Sequence, residues 1–303
     1  MRFIRISLPF IVAGVCMVFF NSCNSCNRQQ TVKDITIDIS ELADSSQIDI
    51  AKNVFYSLPT PIEISILIKN MGIEYRASLL NDPANADKYM TNRKMAINFG
   101  IYITDLTYAG LFEQTQTVLR YKTSIQKLTE GLGMQSAINN NLLKQLEANI
   151  YNREDMLRII SDTYASCTAY LDENDRYFVT VAILTGGWIE GMYIATSLTD
   201  ENLVTTLNRV EQLVVDQKLT FDMIWQVMSE MKDYADINAL INEMSGLAKA
   251  FDQVMVDHTA NKVSSGEDGV SILKSSVTSN VTPDIYIEIK RQIQNIRHNF
   301  IKK

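Results

Sequence analysis

Two carboxylates stand where the surrounding sequence leaves least room for water. Asp105 lies in the stretch Met95 to Phe112 and Glu190 in the stretch Tyr177 to Ser197. Wound as α-helices, neither stretch has the polar face of an ordinary surface helix. At about 100° per residue, Asn98, Tyr102 and Asp105 fall near one line, flanked by Ile101 and Phe112. Glu190 shares a line with Val179, Ile183, Gly186, Tyr193 and Ser197, and Trp188 points the other way. A buried unpaired carboxylate is costly, so each acid is expected to be ion-paired, hydrogen-bonded or protonated. Three uses follow from that chemistry. The acids could belong to a structural polar network, with an Arg or Tyr fixing helix register. They could line a ligand pocket with Tyr102, Tyr108, Gly186, Gly187, Trp188 and Tyr193. They could act together as an acid–base pair.

The glycines sharpen the question. Gly186, Gly187 and Gly191 each cost about 1 kcal/mol in a helix interior relative to alanine. Close helix–helix approach or space beside a ligand would compensate, and Gly100 and Gly110 raise the same alternatives.

Other chemistry finds little support. His258 and His298 are the two histidines, and no His-Glu-x-x-His or Gly-x-Ser-x-Gly motif is present. Gly131-Leu-Gly133 and Gly186-Gly187 do not follow strands and make no phosphate-binding loop. Asp172-Glu-Asn-Asp175 lacks the glycine and closing glutamate of a calcium loop and reads as a solvated turn. Cys167 has no partner placed by sequence and reads as a small core residue. Cys23-x-x-Cys26 has no second pair and no nearby histidine, as a metal site would need. No cofactor, metal ligand set or catalytic set is therefore expected.

The elements that must position the two acids are helices. Five prolines and twelve glycines in 303 residues favour long helices over short strands and turns. Thr60, Pro61 and Glu63 form a capping box for a helix that Gly72 ends. Helices are then expected over Ile73 to Leu80, Thr91 to Phe112, Glu113 to Glu130, Ser136 to Ile150, Arg153 to Leu171 and Asp172 to Leu198. Further helices are expected over Leu203 to Gln217, Thr220 to Met231 and Ile237 to Val263. A loop over Ser264 to Thr278 precedes a last helix, Ile285 to Ile301, capped at Thr282-Pro283. The fold class is thus all-α, a multi-helix bundle of antiparallel helical hairpins with two central apolar helices.

The N-terminus reads as an export signal. Arg2 and Arg5 precede an apolar stretch, Ile6 to Phe20. As a helix it would rise about 22 Å, short of a bilayer's ~30 Å hydrocarbon core. Phe19-Phe20-Asn21-Ser22-Cys23 resembles a bacterial lipobox, with Phe20 where leucine is usual. Cys23 is the expected acylated residue. Cys26 is a rival, and a cleaved leader with both cysteines left over is the plain alternative. The expected organisation is a signal peptide over 1–22, a flexible tether over 23–47 and a single all-helical domain over 48–303. Losing Arg2 and Arg5 with the leader takes the net charge from −7 to −9. That balance argues against nucleic acid, which needs a basic face, and against attraction to anionic lipid.

The blocks Phe55-Tyr-Ser-Leu-Pro-Thr-Pro61, Gly100-Ile-Tyr-Ile-Thr-Asp-Leu-Thr-Tyr-Ala109 and Leu184-Thr-Gly-Gly-Trp-Ile-Glu-Gly191 resemble those of uncharacterised helical outer-membrane lipoproteins of Bacteroidota. The resemblance covers most of the mature chain. It implies an address and a helical fold, and it assigns no activity and no site residue. The expectation is a lipid-anchored protein on the periplasmic side of the outer membrane. There it would act as a binding or scaffold component of the envelope, with an envelope protein as partner. A small or apolar ligand held in a central pocket is the alternative.

Overall fold

The computed structural model describes residues 61–70, 74–138, 140–198, 203–265 and 271–302. The expected leader, Cys23, Cys26, the tether, the Thr60 cap and Gly72 lie outside the described residues. The chain forms helix α1 (Pro61–Asn70), two short 3-10 turns (Ala77–Leu79 and Pro83–Lys88), α2 (Asn92–Leu111), α3 (Thr115–Gly131), α4 (Asn140–Ala148) and α5 (Arg153–Glu173). It continues through α6 (Tyr177–Leu198), α7 (Leu203–Glu230), α8 (Ala235–Phe251), a β1–β2 ribbon (Val256–Ser265 and Ser271–Ser279) and α9 (Pro283–Ile301).

The architecture is an all-α multi-helix bundle, with the ribbon as an appendage. Helices α2 and α6 pack along each other at its centre, and α1, α3, α5 and α9 pack around them. Every residue from Ala96 to Leu111 is buried. So is most of α6, where Tyr177, Phe178, Tyr193 and Ser197 are only partly covered. Helix α6 is long and apolar enough to cross a membrane by length and composition, yet here its neighbours cover it. The two stretches without a wet face are therefore the core of the bundle.

Local chemistry starts and stops these helices. The Thr91 side chain accepts from the Lys94 N–H at 3.2 Å and caps α2. Asn152 caps α5 through the Asp155 N–H, and Thr282 caps α9 through the Ile285 N–H with Pro283 in the first turn. Thr91→Ala is expected to lower stability by about 1 kcal/mol, the usual worth of such a cap, measured by urea unfolding.

Several expected boundaries are corrected. The helix expected over Ile73 to Leu80 is only a 3-10 turn in its described part, because the segment is drawn inward by polar contacts rather than wound on itself. Helix α4 begins later than Ser136, after turns at 134–138. Helix α6 begins at Tyr177 rather than Asp172, because Asp175 adopts a left-handed φ of 54° and ends α5 in a turn. Helix α7 is continuous across Gln217 and Thr220, whose buried side chains fit one helical face. Helix α8 stops at Phe251 rather than continuing to Val263. The segment beyond it pairs antiparallel with the expected loop, Val256 opposite Ser279 and Ser265 opposite Ser271. The Asn280 side chain closes the base of the ribbon, accepting from the Met255 N–H at 2.7 Å and donating to the Gln253 carbonyl at 2.8 Å.

Candidate functional site

The glycines of the central pair are used for close approach. A Cβ on Gly100 would stand 1.9 Å from the Ile183 carbonyl oxygen and 2.8 Å from the Gly187 nitrogen. A Cβ on Gly186 would stand 2.1 Å from the Ile97 carbonyl oxygen. The two backbones therefore meet directly, and the Thr104 hydroxyl crosses between them to the Gly187 carbonyl at 3.1 Å. That contact places Asp105 and Glu190 on facing sides of the same crossing.

Glu190 is fully buried, and Arg297 from α9 claims both of its oxygens. Nε donates to Oε2 at 2.9 Å and Nη2 to Oε1 at 3.0 Å, a side-on fork of two charge-assisted bonds. Nη2 also donates to the Leu79 carbonyl at 3.0 Å. The guanidinium carbon sits 4.5 Å from the centre of the Tyr193 ring, a cation–π contact. Burial alone would lower the pKa of Arg297, but the charge and hydrogen bonds of Glu190 outweigh it and raise the pKa.

Asp105 is also fully buried. Its Oδ2 accepts from the Asn81 N–H at 3.0 Å, while no donor faces Oδ1. Burial pushes its carboxyl well above the usual range, and the neighbouring Glu190 carboxylate pushes the same way. Arg297 and the Asn81 N–H pull downward without reversing the direction.

Asn81 is the hub of the remaining polar groups. Its side-chain amide donates to the Tyr89 hydroxyl at 3.0 Å and to the Asn98 side-chain oxygen at 3.2 Å. Its side-chain oxygen accepts from Asn85, and its backbone carbonyl accepts from the Tyr121 hydroxyl at 2.7 Å. Tyr102 donates to the Asp82 carbonyl at 2.9 Å, and Asn98 donates to the Phe300 carbonyl at 3.0 Å. This network ties the 74–91 segment, α2, α3, α6 and α9 together.

Of the candidate residues, Tyr102, Asp105, Glu190 and Tyr193 thus join one polar cluster. Gly186 and Gly187 form the helix crossing beside it. Trp188 lies on the opposite face of α6, donating to Gln217 at 2.9 Å, with its ring 5.6 Å from Phe221 and 6.1 Å from Phe251. Tyr108 sits at the far end of α2 against Tyr75 and Phe112, where its hydroxyl accepts from the Arg76 N–H at 3.1 Å. Arg297 and Asn81 are the members that sequence reasoning missed. Arg297 had a signal: it lies on the apolar stripe of Ile289, Ile293, Ile296 and Phe300, where a charge implies a buried partner. Asn81, beside Asp82-Pro83, reads only as a helix breaker.

Away from the centre, an open groove of about 530 Å³ runs along α7 toward the base of the ribbon. Val215, Leu219, Val254 and Val256 line it with Gln212, Asp216, Lys218 and Asp222. Gln212 binds Asp216 and Lys218 binds Asp222, each at 2.6 Å, so these polar groups satisfy one another beside the apolar lining. Leu219 and the neighbouring Met255 are each 68% exposed. Cys167 is buried, and burial pushes its thiol up to about 12, which leaves it a core residue without thiolate chemistry. Among the described residues no group of three or more His, Cys, Asp or Glu is placed to hold a metal ion. No protein family, curated protein or solved structure matches the chain.

Proposed function

We propose that this protein is a lipid-anchored docking or scaffold component of the cell envelope, held by Cys23 to the periplasmic side of the outer membrane. One observation carries the reading. The central carboxylate of Glu190 is spent on Arg297 within the fold, while the apolar lining of the α7 groove is open. A catalytic or ligand-binding acid needs free valence toward a guest, and both oxygens of Glu190 are engaged. An open apolar groove with its own polar groups already satisfied suits a protein surface better than a small polar molecule. The apolar leader ending at Ser22-Cys23 supports the anchor.

Native mass spectrometry of the detergent-released mature protein tests this reading. The expected mass is that of the polypeptide and its acyl chains, alone or bound to a protein. A stoichiometric small molecule would replace the scaffold reading with that of a ligand carrier. Cys23→Ala is expected to move the protein into the soluble periplasmic fraction. If Cys26→Ala alone does so, the anchor is Cys26.

A further inference from the structure

We propose that Asp105 stands in the folded protein as a neutral carboxylic acid that donates its proton to Glu190, and that this proton latches the 74–91 segment and α9 onto the central helix pair. The geometry assigns the donor. Oδ2 already accepts from the Asn81 N–H, and Oδ1 has no donor facing it although the side chain is fully buried. An ionised Asp105 would leave that oxygen unsatisfied. A protonated one turns the same atom into a donor, and the carboxylate beside it is Glu190.

Charge balance points the same way. The cations and acids facing Asp105 are Arg297 from α9 and Glu190 from α6. The other titratable groups around it are Tyr121 from α3, Tyr102 one turn away on α2, and Tyr75 from the 74–91 segment. Burial raises the pKa of all three tyrosines, so they stay neutral and offer no compensating charge. Helix α1 meets this region with Ile62, Ser65 and Ile68, while its Lys69 lies over the Phe112 ring. Helix α5 meets α2 through Ile160 and Thr163, on the side of Ile103 and Leu106. One guanidinium therefore serves two carboxyl groups, and the cluster is neutral only when one of them keeps its proton. Arg297 holds Glu190 with two bonds, so the proton resides on Asp105.

The latch follows from what each end grips. Asp105 holds Asn81 through its backbone N–H, Glu190 holds Arg297, and Arg297 holds the Leu79 carbonyl. Losing the proton puts two buried negative charges side by side, a cost that the Asn81 N–H, which favours the charged form, offsets only in part. A carboxyl whose folded pKa is raised binds its proton over a range where the unfolded chain has released it. Stability then falls as pH rises above the ordinary carboxylate range.

Asp105→Asn in the full mature chain tests this. Asparagine keeps an acceptor for the Asn81 N–H and supplies an amide donor toward Glu190, so it imitates the protonated acid permanently. The expected result is a melting temperature at least equal to that of the wild type at neutral pH, with a margin that widens as pH is raised. A margin that stays constant with pH, or a variant that melts lower or fails to fold, would overturn the proposal. Infrared spectroscopy of the wild type gives a second reading that needs no stable variant. An un-ionised carboxylic acid band is expected in the folded protein at neutral pH and is expected to vanish on unfolding. Its absence from the folded protein would also overturn the proposal.

Discussion

Arg297→Leu is expected to remove about 3–5 kcal/mol of stability, the range found when one partner of a buried ion pair is deleted. The residue does three things at once. It neutralises Glu190, donates to the Leu79 carbonyl and packs its guanidinium on Tyr193. Without it, the Glu190 carboxylate is left buried beside Asp105 with no cation. Whole domains are stable by only about 5–15 kcal/mol, so the variant is expected to populate unfolded chain at moderate temperature. Glu190→Leu is expected to fail comparably, by stranding the guanidinium. Replacing both by leucine should recover much of the loss, because an apolar pair of similar volume has no charge to strand. Urea unfolding of the two single variants and the double variant measures the coupling directly. Additive losses in the double variant would show that the pair does not act as a unit.

Gly100→Ala and Gly186→Ala are each expected to cost about 3 kcal/mol, the upper end for overpacking a well-filled core. The added methyl groups would meet carbonyl oxygens of the opposite helix at 1.9 Å and 2.1 Å. Those atoms belong to backbone and have no rotamer to escape into, so α2 and α6 must move apart along their whole contact. Alanine's intrinsic helix advantage of about 1 kcal/mol is too small to offset that. Gly246→Ala provides the contrast. There the new methyl meets the far end of the Gln292 side chain, which can swing aside. It is expected to be neutral or stabilising, and thermal melts of the three variants side by side decide the point.

The central architecture was legible because it rests on periodicity. Helices α2 and α6 announce themselves by lacking a wet face, and α9 by its cap, Thr282-Pro283, and its apolar stripe. The acids were visible for the same reason: a charge inside an apolar helix demands a partner. What sequence withheld was the identity of that partner. Arg297 is 107 residues from Glu190, and no local rule links them. Asn81 was hidden more deeply, since its role depends on its backbone N–H as much as on its side chain. The β1–β2 ribbon escaped because its strands are short of apolar alternation and α8 runs straight into them, so the helical pattern seemed to continue. The glycines were ambiguous until the second helix was in place, because room for a ligand and room for a backbone leave the same gap in a sequence.

Were the chain exported as proposed, helix α6 would bear on its passage across the membrane. It has 22 residues and is long and apolar enough by composition to cross a bilayer. Glu190 lies near the middle of that helix, where an ionised side chain resists partition into lipid by about 2.5–3.5 kcal/mol, taking the figure for aspartate at a helix centre. The same carboxylate would thus oppose arrest of the segment in the translocation pore and urge it onward. On that route it would emerge without its cation, which would follow only with the last helix. Translocation and locking would then be separated by the passage of 107 residues, and an exported chain cut short before Arg297 would arrive outside with its most hydrophobic helix carrying an unanswered charge.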